Sequence, residues 1–378
     1  MSARSFLLKL LLFFAPILAV YAMPVAVLVR AWELSPVTTI ARTHAASSNP
    51  ESLYGPAYGY PARGYKLASI AARQPPVVAI GSSRAMQFRA DFFVGGESTF
   101  YGAGGIVERL FDYRLVFRRL VPLKTRRAIV VIDPWHMNEA WRDFAPDAMA
   151  PRDYDGELNR LDILQRSLRV YPDLRAKKLT VGEVFASHDV FGINAICHGN
   201  GFRRDGSYRY ADLLRDPAGG EDYEFKDTLL RIQTGARRLE WADEPSPRAL
   251  VELELLAQEW RKNGFEIVVV LAPFAPTVVS AMRESGKLDY VFRLGERMRP
   301  VLNRQRIPLI DLTDCGALAC EDRDFLDGMH AGSAFYARML LEVTRTVAWV
   351  ADVADARGLT RRLDGRSNEL SSWELALP

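Results

Sequence analysis

A serine hydroxyl becomes a nucleophile when a base takes its proton and a third group holds that base in the right tautomer. The apolar stretch Val77–Ile80 runs directly into Gly81, Ser82, Ser83 and Arg84. Far downstream, Asp327 precedes His330 by three residues, after the last apolar strand-like run and at the start of the last helical pattern. On a loop entering a helix, that offset lets a carboxylate reach one imidazole nitrogen while the other faces outward. Ser82 and Ser83 are thus the candidate nucleophiles, with His330 as base and Asp327 as orienter. The chain has five histidines, and the other four are less suggestive. His44 lies in a linker-like stretch, His136 after the second strand, and His188 and His198 in a charge-rich insertion.

The elements that must place these groups read as alternating strand and helix. Pro75 and Pro76 open the first strand, Val77–Ile80, and Ala128–Ile132 is a second, closed by Asp133 and Pro134. Between them, Ala103–Val121 has helical spacing through Ile106, Leu110, Tyr113, Val116, Phe117 and Leu120. Residues 140–245 break the alternation with charged stretches and short amphipathic pieces such as Leu161–Val170, and read as a mostly helical insertion. A helix over Arg248–Lys262, stopped by Asn263 and Gly264, leads to a third strand, Phe265–Leu271. A helix over 287–303, a fourth strand at Ile307–Ile310 and a long helix over Gly332–Val353 follow. Near-continuous apolar strands separated by helices predict a parallel sheet covered on both faces, a three-layer α/β sandwich of flavodoxin-like type. Such sheets place their sites at the carboxyl ends of the strands, where Ser83 and His330 both fall.

With these residues in view, the chain resembles the SGNH (GDSL-like) hydrolase superfamily. Gly81, Ser82 and Ser83 match its first block, with Ser83 as nucleophile, and Asp327 and His330 match its Asp-x-x-His block. The resemblance covers roughly residues 75–140 and 247–350. The branch it implies is membrane-anchored and related to the alginate O-acetylation proteins and to the D-alanylation protein DltD. It further implies a Gly and an Asn that donate to the oxyanion. Gly104 or Gly105, at the head of the first helix, and Asn138 after the second strand take those places, although Asp133–Asn138 departs from the family's compact Gly-x-Asn. Arg84 fits either an anionic substrate or a nearby acid, and Trp135 and His136 are candidates to line the pocket. Each motif also has a plainer reading: Ser83 as a helix cap, Asp327 and Gly328 as a turn, the glycines as a flexible turn, and Asn138 as structural.

Composition narrows the class. The chain has 378 residues, 49% hydrophobic and 25% charged, with a net charge of +3. That is globular composition, and it argues against a dedicated nucleic-acid binder. Phe6–Val29 is almost wholly apolar, and about 20 such residues suffice to cross a bilayer. Residues 1–30 are expected to be a single-pass inner-membrane anchor, with a cleaved signal peptide as the alternative; both put the remainder outside the cytoplasm. Residues 31–74, with Ser47–Pro50 and the Gly/Pro/Tyr run Tyr54–Pro61, read as a linker, and 75–355 as the catalytic domain with the 140–245 insertion. Residues 356–378 form a polar tail. Cys315 and Cys320 suit a short-loop disulfide in an oxidising compartment, while Cys197 beside His198 is too little for a zinc site.

The expected function is a membrane-anchored, extracytoplasmic serine esterase or O-acyltransferase acting on acetyl or other acyl esters of an envelope or exported polysaccharide. No metal or cofactor is expected. The expected partners are that acyl-sugar substrate, the inner membrane and a membrane-bound acyl donor protein. Two alternatives stay open: a non-catalytic polysaccharide-binding or assembly component, and a periplasmic esterase of small esters.

Overall fold

The computed structural model describes residues 3–59, 61–141 and 160–364. The chain begins with α1 (Ala3–Arg30), α2 (Val37–Ala46), β1 (Leu53–Tyr54) and α3 (Ala62–Arg73). Then come β2 (Val77–Ile80), β3 (Phe100–Ala103), α4 (Leu110–Leu120) and β4 (Arg127–Val131). Next are α5 (Arg160–Arg175), α6 (Val181–Ala186), α7 (Ile193–His198), β5 (Gly201–Arg203), β6 (Tyr208–Arg209), α8 (Ala211–Arg215) and α9 (Lys226–Thr234). The last part holds α10 (Pro247–Lys262), β7 (Glu266–Leu271), α11 (Pro276–Ser285), α12 (Asp289–Arg304), β8 (Leu309–Asp311), α13 (Ser333–Thr346), α14 (Ala348–Val353) and α15 (Ala356–Asp364). Two compact units emerge: residues 1–68, 150–204 and 209–212 form one, and 69–149, 205–208 and 213–378 the other.

The larger unit is α/β. Its five strands lie in the order β3-β2-β4-β7-β8, and every neighbouring pair is parallel. Counted along the chain this is the order 2-1-3-4-5, in which the winding direction reverses between the first and third strands. Ser83 and Asp133 follow those two strands, so the reversal point lies between them. Val77–Ile80 is buried at all four positions, and β7 at every position after Glu266, as expected of a sheet flanked by helices on both sides. One face packs Val77, Ala79, Ile129, Val131, Val268 and Val270 with residues of α11 and α13. Beside the sheet, α10 starts where the Ser246 hydroxyl accepts from the Ala249 amide with Pro247 in the first turn, a favoured start. Its Trp260 lies 5.1 Å from Phe117 of α4, ring to ring, so the two helices share an aromatic contact worth ~1 kcal/mol beyond burial.

The edge strand β3 is not left open. Gly102 N–H donates to the Asp205 carbonyl at 2.7 Å, the Asp205 carboxylate accepts from Ala90 N–H at 2.8 Å, and Tyr208 N–H donates to the Met86 carbonyl at 3.1 Å. Residues 205–208 thus take up one amide of the edge strand, that of Gly102, and pin the neighbouring loop at Met86 and Ala90, which limits what the edge would present to another chain.

In the smaller unit, Val27, Leu28, Tyr58, Val170, Val184 and Ile193 form a core. Buried Glu33 accepts from the amides of Ala57, at 2.8 Å, and Ile193, at 2.9 Å. Burial raises its pKa in spite of those amides and of Arg166 nearby.

Several expectations need correction. Residues 31–74 are not a linker: they hold α2, β1 and α3, and Tyr54, Tyr58 and Tyr65 are buried. Within the Gly/Pro/Tyr run, Tyr54 and Tyr58 bury their rings, so the aromatic content there reflects packing. The helix expected from Ala103 starts at Leu110, because Phe100–Ala103 extends as β3 and the Asp112 carboxylate caps the later start through the amides of Glu108 and Arg109. The long final helix breaks at Val347, whose backbone is extended (φ −118°, ψ 101°). The polar tail begins as helix α15, and residues 365–378 lie outside the described part. The insertion is mainly helical where described, with residues 142–159 outside. Among the described residues no helix is long and apolar enough to cross a membrane, and several side chains of the expected anchor over 1–30 fall outside the description.

Candidate active site

The elbow that carries Ser83 starts from a steric demand. A Cβ on Gly81 would sit 3.0 Å from the Ala85 Cβ, the Val131 Cβ and the Val131 carbonyl oxygen, so glycine lets β2 turn tightly against β4. The chain enters a 3-10 turn over Ser83–Ala85, and the Ser82 hydroxyl accepts from Arg84 N–H at 3.1 Å. Ser82 is therefore the cap. Ser83 is the first residue of the turn, where an amide is not used by the turn's own ladder, and its side chain is half-buried.

That side chain meets the distant segment. Ser83 Oγ lies 2.7 Å from His330 Nε2, and His330 Nδ1 lies 2.7 Å from Asp327 Oδ2 and 2.9 Å from Oδ1. Asp327 Oδ1 also accepts from the amides of Met329 and His330, both at 2.8 Å. An anionic Asp327 must receive the Nδ1 proton, which leaves Nε2 to accept from the serine hydroxyl. Burial would raise the Asp327 pKa, but the His330 ring, its hydrogen bond and the two amides outweigh it and hold the carboxyl below its ordinary value. The loop closes on itself where Leu326 N–H donates to the His330 carbonyl at 2.8 Å.

A second carboxylate fixes this loop from outside. Asp222 Oδ2 accepts from Gly328 N–H at 3.0 Å and from the Thr228 hydroxyl at 2.6 Å, while its Oδ1 accepts from Thr228 N–H at 2.8 Å.

Of the two readings for Arg84, the pairing with a nearby acid is the one found, and the substrate contact is not. Its side chain is fully buried, as is that of Asp133, and the two pair at 3.2 Å. Nε donates to the Met329 carbonyl at 3.1 Å, and the other guanidinium nitrogen to the carbonyls of Ala272, at 2.7 Å, and Pro273. The Tyr336 hydroxyl donates to the Arg84 carbonyl. One planar fork thus joins the ends of β2, β4 and β7 to the residue before His330, the rigid multidentate task for which arginine is suited. No surface is left for a substrate anion.

Other candidates are corrected too. Trp135 and His136 are 2% and 1% exposed, so neither lines an open pocket. Trp135 belongs to the core, with the Arg84 guanidinium 5.7 Å from its ring. His136 Nδ1 accepts from Asp133 N–H at 3.2 Å, and burial lowers its pKa against the pull of Asp133 and Asp112, so it is a neutral structural residue. Asn138 is buried, with its amide donating to the Glu240 carbonyl at 2.7 Å and its oxygen accepting from Ala140 N–H at 3.0 Å. It braces the Glu240 strap, and its side-chain groups are engaged there. Gly105 N–H donates to the carbonyls of Gly81 and Ser82, at 3.0 and 2.8 Å, so it is spent on the elbow. Gly104 lies against the elbow: a Cβ there would be 2.5 Å from the Met86 nitrogen. That closeness keeps Gly104 with Ser83 N–H as the candidate oxyanion donors.

Sequence reasoning missed Asp133, Asp222 and Tyr336. Asp133 had a readable signal, a carboxylate at the carboxyl end of a buried strand. Asp222 and Tyr336 had none, since their partners are more than 100 residues away in the chain. Cys315 and Cys320 are joined as a disulfide, and Cys197 is free. Among the described residues no cluster of His, Cys, Asp and Glu is arranged to hold a metal ion. No protein-family model matches the chain, and a search of curated proteins finds no relative that matches it.

Proposed function

We propose that the protein is a serine-dependent acyl-ester hydrolase or acyltransferase of SGNH type acting on acyl groups of an extracytoplasmic polysaccharide. The observation that carries this reading is the continuous chain of short contacts from Ser83 Oγ through the His330 ring to Asp327. Ser83 Oγ bonds to the acyl carbonyl carbon as its proton passes to His330 Nε2. Asp327 stabilises the imidazolium through Nδ1–H. Ser83 N–H, at the head of its turn, with Gly104 beside it, faces the charge that develops on the carbonyl oxygen. Collapse expels the alkoxide, which takes the proton from Nε2, and leaves an acyl-serine. Water or a sugar hydroxyl then attacks, its proton going to His330, and Ser83 is restored.

The disulfide favours an oxidising compartment, and the apolar sequence of Phe6–Val29 favours tethering at the membrane that bounds it. A second reading, a polymer-binding component without catalysis, draws on the engagement of Gly105 and Asn138, which leaves a lean oxyanion site. Ser83→Ala separates the two. The first reading expects the variant to lose release of a chromogenic acetyl ester, and transfer to an added oligosaccharide, by at least about 10³-fold while keeping its melting temperature. Undiminished turnover in Ser83→Ala rules out the serine mechanism.

A further inference from the structure

A cavity of about 430 Å³ adjoins the triad loop without containing Ser83 or His330. Its size falls within the range of small-molecule sites, roughly 300–1,000 Å³. Tyr223, Phe325 and Leu326 give it apolar walls, and Glu224, Asp322 and Arg323 give it polar ones. Another cavity, of about 460 Å³, lies among Arg127, Glu266 and Pro308 at the opposite ends of the strands, away from the serine.

Three features decide what the first cavity would hold. Its wall and the triad loop are one piece: Leu326 directly precedes Asp327, and Asp222, next to Tyr223, accepts from Gly328 N–H. A ligand seated there is therefore registered against the reacting serine. Its charges are mostly paired, and only Asp322 keeps an uncompensated negative charge. Glu224 pairs with Lys226 at 2.9 Å and Arg323 with Glu321 at 2.6 Å, while Asp322 accepts from Thr277 N–H and hydroxyl at 3.0 and 2.5 Å. Such a rim offers hydrogen-bond donors and acceptors, and its one spare negative charge disfavours an anion. An alkyl chain would cover these polar groups without replacing their water. Finally, Glu224 and Phe225 both have positive φ, 55° and 61°. Consecutive non-glycine residues in that region persist only where their surroundings hold them, and here they turn the segment so that Tyr223, 40% exposed, faces the cavity.

We propose that this cavity is a saccharide subsite. It holds a neutral sugar residue of the polymer, with an apolar ring face against Tyr223 and Leu326 and hydroxyls toward Glu224, Asp322 and Arg323, while a nearby residue of the same polymer presents its ester or hydroxyl to Ser83. The assignment of Ser83 rests on the function proposed above; the binding itself does not.

The test uses the full chain carrying Ser83→Ala and titrates it calorimetrically with gluco-, manno- and N-acetylglucosamine hexasaccharides. Binding of at least one is expected, weakened about tenfold by Tyr223→Ala, with release of a short chromogenic ester by the Ser83 enzyme carrying Tyr223→Ala within about twofold of the parent. Arg323→Ala, at an exposed position, gives an independent second variant if Tyr223→Ala melts early. The subsite is refuted if none of the hexasaccharides binds, or if a bound one is indifferent to both variants. It is equally refuted if Tyr223→Ala alters ester chain-length preference and leaves sugar binding unchanged. Variant-sensitive sugar binding in a protein whose native form hydrolyses and transfers nothing retains the subsite and removes the catalytic reading. Active hydrolysis without any sugar binding does the reverse.

Discussion

Replacing Arg84 by methionine removes a cation from the centre of the site without opening a large cavity. The substitution strands the Asp133 carboxylate, whose side chain is fully buried, and takes a donor from the carbonyls of Met329, Ala272 and Pro273. Removing one partner of a buried ion pair costs about 3–5 kcal/mol, and a buried acceptor left unpaired adds roughly 1–3 kcal/mol. Part of that is recovered as the loop relaxes, so we expect a loss of about 5 kcal/mol, a large share of the roughly 5–15 kcal/mol that holds a domain together. Urea unfolding followed by tryptophan fluorescence measures it. A cycle with Asp133→Leu is the sharper assay: once the carboxylate is gone, Arg84→Met costs less, and the coupling should reach about 2 kcal/mol or more. Arg84→Lys keeps the charge but replaces the fork by a single ammonium, and should still lose turnover because Met329, beside His330, is no longer tied down. A loss below about 1 kcal/mol for Arg84→Met, or strict additivity with Asp133→Leu, refutes the account of this cluster.

Asp327→Asn should lower kcat by about 10⁴-fold, since the amide permits the wrong imidazole tautomer, as read with a chromogenic ester. The same variant tests the pH linkage. The folded pKa of Asp327 lies below its unfolded value of about 3.9, so its contribution to stability is full above that value and is lost as pH falls through the folded pKa. The acid limb of the urea-midpoint profile below about pH 4 should therefore be shallower in the variant. Asn138→Ala should cost roughly 1–3 kcal/mol of stability through the freed Glu240 carbonyl and leave kcat within severalfold; a fall of 10²–10³-fold in a stable variant would restore Asn138 to the oxyanion site. Alkylation without reductant should label Cys197 alone, and the Cys315→Ser/Cys320→Ser pair should lower stability by about 2 kcal/mol on the loop-entropy scale.

What could be read from sequence were the features with local causes. β2, β4 and β7 announce themselves because a strand buried on both faces must be apolar throughout, and Ser83 and His330 follow from the strand-end location of sites in such sheets. β3 was hidden because Phe100–Ala103 is short and ends in a glycine-rich run that resembles a helix start. Trp135 and His136 were misplaced because a residue just past a strand can turn inward as readily as outward; the Pro134–Met137 turn sends both into the interior. Asn138 had the right type and place for a donor, but its partner, Glu240, lies 102 residues on. Arg84 was ambiguous for the same reason: three of its four acceptors are carbonyls, which carry no signature in side-chain identity.

Residues 205–208 lie against β3 although the chain on either side of them belongs to the other unit. Neither unit is therefore a contiguous stretch of polypeptide. Excising the 140–245 segment would strip the cover from the sheet margin and invite intermolecular strand pairing, so a trimmed α/β unit should be recovered as aggregate. Since Ser83 precedes His330 by 247 positions, a growing chain carries its serine long before the imidazole that meets it, and on the function proposed above it would stay chemically silent until synthesis is almost complete.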